Sequence, residues 1–147
     1  MSAADRIQRV TADAAAAVFQ ARELFDGPPD PAATARFLSQ PGHHLLLAWA
    51  AGEPVGMVTG VEMTHPDKGT EMFLYELGVR PDARGAGVGK ALVAELASIA
   101  RSRGCYGMWT ATDDDNLAAL AVYQGTGALP DPGVTRVLAW DLRVADG

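Results

Sequence analysis

The sequence contains one cysteine, Cys105, in 147 residues. A lone thiol forms no internal disulfide and supplies no cysteine cluster for zinc, so a cytoplasmic protein without a structural metal is the expectation. Cys105 stands away from any motif histidine and reads as a core residue. Long apolar runs are also missing. The longest, Leu45 to Ala51, falls far short of the roughly 20 residues that a membrane helix needs, so no membrane partner is expected. The opening MSAADRIQRV has no apolar core of signal-peptide length. Basic residues are few, with 12 Lys and Arg against 18 Asp and Glu and a net charge of −6. That balance argues against nucleic acid, whose binding is dominated by cationic contacts to phosphate. It suits a cationic substrate, and it also serves solubility alone. His43 and His44 lack partners at metal-ligand spacing, and solvent-facing histidines are expected.

No internal repeat or low-complexity tract divides the chain, so residues 1–147 read as one domain. Ile7 to Val10 reads as a first strand, followed by an Ala-rich helix capped by Thr11 and running to about Phe25. Asp26-Gly27-Pro28-Pro29 breaks it, and Asp30 before Pro31 restarts a helix as cap and first helical residue. His44 to Ala51 and Val55 to Met63 make a hairpin about Gly52-Glu53-Pro54, and Met72 to Val79 is a third long strand. Val88, Leu92, Val93, Leu96, Ile99 and Ala100 recur at helical spacing. Tyr106 to Thr112 reads as a strand, Asp115 or a neighbour caps a helix to about Thr126, and Val134 to Leu142 closes as a last strand. The pattern is a mixed α/β sheet, antiparallel first and then with a parallel crossover.

The most informative stretch is Arg84-Gly85-Ala86-Gly87-Val88-Gly89-Lys90, at a strand-to-helix turn. It is not a Walker loop, because Ala91 follows Gly89-Lys90 where a hydroxyl must reach Mg²⁺. Nor is it the dinucleotide pattern, which requires glycine at Lys90. What remains is an anion site: free N–H groups and the positive helix end, glycines for close approach, and charge from Arg84 and Lys90. Glycines chosen only for close helix packing would leave the same trace.

Leu77-Gly78-Val79 followed by Arg84-x-x-Gly87-x-Gly89 resembles the acyl-CoA signature of the GNAT superfamily of N-acetyltransferases. Asn116-x-x-Ala119-x-x-x-Tyr123-x-x-x-Gly127 is similar to that family's second segment. The resemblance implies a mixed, mostly antiparallel central sheet with a splayed parallel strand pair, flanked by helices. It implies acetyl-CoA as cosubstrate, with its pyrophosphate on residues 84–90 (Ala86 and Val88 included). Its pantetheine arm would lie along Leu77, Gly78 and Val79 and against Asn116 and Ala119. Tyr123 would protonate the leaving thiolate.

An alkyl amine, with a pKa around 10.4, must lose a proton before it attacks. Glu76, next to the pantetheine-pairing residues, is the first candidate base, and Glu62 in the preceding strand is a second. Tyr75 and the run Asp113-Asp114-Asp115 could line a site for a cationic amine, although acidic residues before a helix also serve as caps. Phe73 to Val79 and the ending Val137 to Leu142 resemble the aminoglycoside 3-N-acetyltransferases. Glu76 stands where that subgroup has aspartate. The expected function is therefore acetyl transfer from acetyl-CoA to a primary amine, with an aminoglycoside 3-amino group preferred. Another small amine, a peptide or a protein is the first alternative, and a non-catalytic acyl-CoA-binding module is the second. The resemblance also allows a homodimer.

Overall fold

The apolar run at residues 45–50 explains the centre of the structure. Odd and even residues of a strand point to opposite faces, and here both faces are covered. Leu46, Ala48 and Ala50 join one core cluster, with Val58, Leu74, Leu92 and Leu96. Leu45, Leu47 and Trp49 join the other, with Val18, Ala21 and Met57. A central strand covered on both sides has no polar alternation, which is why it reads as a continuous hydrophobic run.

The computed structural model describes residues 3–133 and 135–143. Five strands lie in the order β1 (Arg6–Arg9), β2 (His43–Ala50), β3 (Glu53–His65), β4 (Gly69–Val79) and β5 (Met108–Trp109). The first four pair antiparallel. β5 pairs parallel to β4, at Met72↔Met108 and Phe73↔Trp109 only. The helices are α1 (Ala16–Gln20), α2 (Pro31–Ser39), α3 (Val88–Ser102) and α4 (Leu117–Gly125). The turn between β2 and β3 is Ala51-Gly52, both at positive φ, as a tight hairpin turn requires.

Asp30 caps α2 as expected, its Oδ2 accepting from the Ala33 N–H at 2.7 Å. Three expectations change. The single helix from Thr11 to Phe25 is instead a 3₁₀ turn, the five-residue α1 and a second 3₁₀ turn, Arg22–Leu24. Val18, Ala21 and Leu24 pack on the same cluster, and a spacing of three is the repeat of a 3₁₀ turn. The strand expected over Tyr106 to Thr112 shrinks to Met108–Trp109, while α4 is capped by Asn116, the neighbour of Asp115, as the expectation allowed. Finally, residues 135–142 have no strand pairing; Val137, Leu138, Trp140 and Leu142 are each at least 75% exposed. Local alternation gives a segment strand character, but a strand also needs a neighbour, and these residues have none among the described residues. Val134 lies outside them.

Candidate active site

β4 is held by β5 only at its first half. The last link is the Thr110 hydroxyl, which donates to the Leu74 carbonyl at 2.8 Å. Beyond it, the edge of residues 77–79 borders a cavity of about 1020 Å³. Residues 84–90 form a second wall and Asn116 and Ala119 a third. The structure thus gathers every residue expected to hold the cofactor around one space, apart from Tyr123.

The glycines divide by task. Gly85 and Gly87 have φ of +81° and +83°, a region that L side chains disfavour. A Cβ on Gly87 would meet nothing within 4 Å, so the loop faces open space. Gly89 is buried, and a Cβ there would lie 3.2 Å from Val122; this glycine lets α3 approach α4. No side chain caps α3, which leaves its first-turn N–H groups at the cavity wall for an anion. The Arg84 Nε donates to the Val79 carbonyl at 3.3 Å. Lys90 lays its stem along Gly125, where a Cβ would come 2.8 Å from its Cε. Its ammonium therefore sits near the negative end of α4. The Asn116 Oδ1 accepts from the Ala119 N–H at 3.1 Å, leaving its amide hydrogens for a ligand.

Sequence reasoning missed a further part of the lining. Gln20, Glu23, Leu24, Phe25 and Asp26 line the same cavity. Their only sequence signal was an acidic, Gly-Pro-rich helix break beside a phenylalanine, which marks a loop without saying what it faces.

Glu76 directly precedes the lining residues Leu77 to Val79, borders neither hollow itself, and is partly buried. Burial pushes its carboxyl pKa up, and the charge of Asp26 pushes it further. Tyr123 is 9% exposed. Burial raises its pKa against a smaller opposing pull from the Thr110 hydroxyl, so the phenol keeps its proton. It borders a second hollow of about 540 Å³ with Leu74, Met108 and Thr110, and not the larger cavity.

Glu62 leaves the site. Its Oε2 accepts from His44 Nε2 at 2.7 Å and from the Arg103 Nε, and it does not line the cavity. His44 is fully buried rather than solvent-facing. Arg9 donates to its Nδ1; a guanidinium can only donate, so Nδ1 is the acceptor and Nε2 carries the proton. Tyr75 is 67% exposed and packs on Phe73, ring centroids 5.7 Å apart. Asp113, Asp114 and Asp115 are exposed and border neither hollow. Among the described residues no group of three or more His, Cys, Asp or Glu is placed to hold a metal ion. No helix there is long and apolar enough to cross a membrane.

The family described as Acetyltransferase (GNAT) matches residues 11–128. The chain belongs to that family. It is 35% identical over 102 residues to the N-alpha-acetyltransferase RimI of Mycobacterium tuberculosis, covering 69% of this chain and 62% of that one. Against the thialysine N-epsilon-acetyltransferase of Bos taurus it is 32% identical over 100 residues, 63% of this chain and 59% of the other. The GNAT chain thus spans about six tenths of the length of these curated relatives. Its fold matches that of the aminoglycoside acetyltransferase meta-AAC0020 from an uncultured soil metagenomic sample, with a TM-score of 0.84 at 19% identity over 94% and 96% of the two chains. It also matches AAC(6')-Iy in complex with CoA, with a TM-score of 0.77 at 22% identity over 95% of each chain. GNAT membership agrees with the five-stranded mixed sheet and its parallel pair.

Proposed function

We propose that this GNAT chain is an acetyl-CoA-dependent N-acetyltransferase that acts on a primary amine by direct attack. One observation carries the reading. The unpaired edge of β4 and the uncapped start of α3, with two glycines at positive φ, face the same cavity. A strand edge suits an extended amide chain, and an uncapped helix start suits its pyrophosphate.

In this reading Glu76, directly or through water, takes a proton from the substrate ammonium. The freed nitrogen lone pair attacks the thioester carbon, and the Val79 N–H supports the developing oxyanion. The C–S bond then breaks. Its electron pair leaves on sulfur and Tyr123 protonates the thiolate; the second proton of the attacking nitrogen is released to water as the neutral amide forms, and the phenolate regains a proton from solvent. No acyl-enzyme forms, so Cys105 has no role.

A cationic acceptor fits the acidic lining of the cavity, to which Glu23 and Asp26 contribute. The preferred acceptor is an aminoglycoside, the class that names the two fold neighbours above; the 3-amino group is the expected position. A peptide or protein amine is the second reading, favoured by the similarity to RimI. We place the reaction in the cytoplasm, with a homodimer as the assembled form. The exposed Val137, Leu138, Trp140 and Leu142 offer apolar surface for that contact.

Thiol release from acetyl-CoA against aminoglycosides with and without a free 3-amino group, linear polyamines, amino acids and peptides tests the reading. Turnover confined to one class assigns the acceptor. Tight CoA binding with no turnover on any amine would replace the enzyme with a binding module, and no CoA binding would overturn the site.

A further inference from the structure

We infer that Thr59 is a positioning residue for Glu76: its hydroxyl sets the backbone from which that carboxylate projects. The inference rests on the reading of Glu76 as base. The pairing of β3 with β4 slips at this point, with Thr59 opposite Glu76 but Gly60 opposite Leu74. Tyr75 is the extra residue, and its side chain turns out to solvent. A bulge of this kind interrupts the ladder and leaves a backbone group in need of a partner. Here the Glu76 N–H donates to the Thr59 Oγ1 at 3.1 Å. Thr59 is 4% exposed, so water does not readily replace that acceptor.

The surroundings leave the bond little freedom to be made elsewhere. On one side, a Cβ at Gly60 would come within 2.8–2.9 Å of Leu96 and the Met72 Sδ, so β3 is pressed against α3. Two residues beyond Glu76, Gly78 is pressed against the Leu24 carbonyl. Between these two packed points the Thr59 hydroxyl fixes the turn of the backbone at Glu76, and with it the direction of the Glu76 Cα–Cβ bond. This is also where β4 parts from β5, so the same bond lies at the opening of the cleft. A hydroxyl acceptor at the slip lets β4 change direction with the buried Glu76 donor still partnered.

The test compares Thr59→Val, which keeps the shape and removes the acceptor, with Thr59→Ser, which keeps the acceptor. Amide hydrogen exchange at Glu76, followed by NMR, reads the bond without any substrate. The expected result is exchange at least ten-fold faster in Thr59→Val than in the wild type, with Thr59→Ser near wild type. For acetyl transfer to the amine found in the panel, Thr59→Val should lower kcat about ten-fold with acetyl-CoA KM unchanged, and should displace the pH profile; serine should restore both. Glu76→Gln, measured in parallel, separates the two layers. A silent Thr59→Val beside a Glu76→Gln that abolishes the pH-dependent limb overturns the role of Thr59 and keeps the base. A silent Glu76→Gln overturns the base and the positioning role together. If Thr59→Val does not fold, Thr59→Cys, a weaker acceptor, should give an intermediate Glu76 exchange rate, and wild-type exchange there would overturn the proposal.

Discussion

The carbonyl oxygen of Leu24 lies 2.5 Å from where a Cβ on Gly78 would be. Both residues line the cavity, and their contact sets how closely the first helical segment approaches the splayed strand. Gly78→Ala forces backbone against backbone, with no flexible side chain to give way. Overpacking of this kind costs about 1–3 kcal/mol. The expected outcome is a Tm several degrees lower and weaker CoA binding, read by calorimetry on the same preparation. A variant with unchanged Tm and affinity would mean that the segment around Leu24 moves freely.

Gly87 makes the opposite prediction about space. Nothing lies within 4 Å of a Cβ there, but φ is +83°, so a side chain costs roughly 1–2 kcal/mol in backbone conformation. Gly87→Val should lower Tm modestly and weaken CoA at least ten-fold, because the branched side chain projects into the space proposed for the pyrophosphate. Gly27, with an ordinary φ and nothing near its Cβ, is the control, and Gly27→Ala should leave CoA affinity unchanged. Wild-type affinity in Gly87→Val would remove the pyrophosphate from the loop.

These two glycines mark the boundary of what the sequence makes legible. The loop at residues 84–90 is contiguous, and its strand, turn and helix are neighbours in the chain, so local spacing suffices to find it. The Asp30-Pro31 helix start is legible for the same reason. The contact of Leu24 with Gly78 joins residues 54 apart in sequence, and no local pattern announces it. The buried His44 is similar: its partners Arg9, Glu62 and, through Glu62, Arg103 come from three other elements, so in sequence it stands alone. Over residues 135–142 the expected last strand fails for the complementary reason, since alternation is local and pairing is not.

Tyr123 keeps its proton because burial raises its pKa, which suits an acid waiting for a thiolate. Tyr123→Phe should lower kcat by about 10²-fold or more, as loss of general acid catalysis does, with little change in CoA affinity. Its position beside Thr110, on the β5 side, makes the measurement decisive. An unchanged kcat would reduce Tyr123 to a core residue under the cleft.

Glu76 gives a prediction with two independent readings. Burial first, and Asp26 second, raise its pKa, so the folded state holds this proton to higher pH than the unfolded chain. Stability associated with it is present below the unfolded value and is lost as pH rises through the folded one. Glu76→Gln should therefore match the wild type in Tm at low pH and exceed it at neutral pH. In the same variant kcat/KM should fall and lose the limb that rises through the raised carboxyl pKa. A gain in stability without loss of activity would leave a buried carboxylate with no part in proton transfer.

The His44–Glu62–Arg103 group predicts the reverse dependence on pH. Burial pushes the Glu62 pKa up, but hydrogen bonds from His44 and Arg103 outweigh it and hold the carboxyl below its ordinary range. Burial lowers the His44 pKa despite Glu62, and Arg9 adds to the lowering; protonated Nδ1 would face the donors of Arg9. For both residues stability is present above the unfolded value and lost as pH falls through the folded one. The loss begins below about 6.5 for the histidine, and below about 4.3 for the glutamate. Glu62→Gln weakens the acceptor shared by His44 and Arg103, at a cost of about 1–3 kcal/mol. Its Tm deficit should be largest near neutral pH and shrink as acid protonates the wild-type carboxylate. Acetyl transfer should survive, because the Glu62 carboxylate is engaged by His44 and Arg103. A raised amine KM at unchanged Tm would return Glu62 to the substrate site.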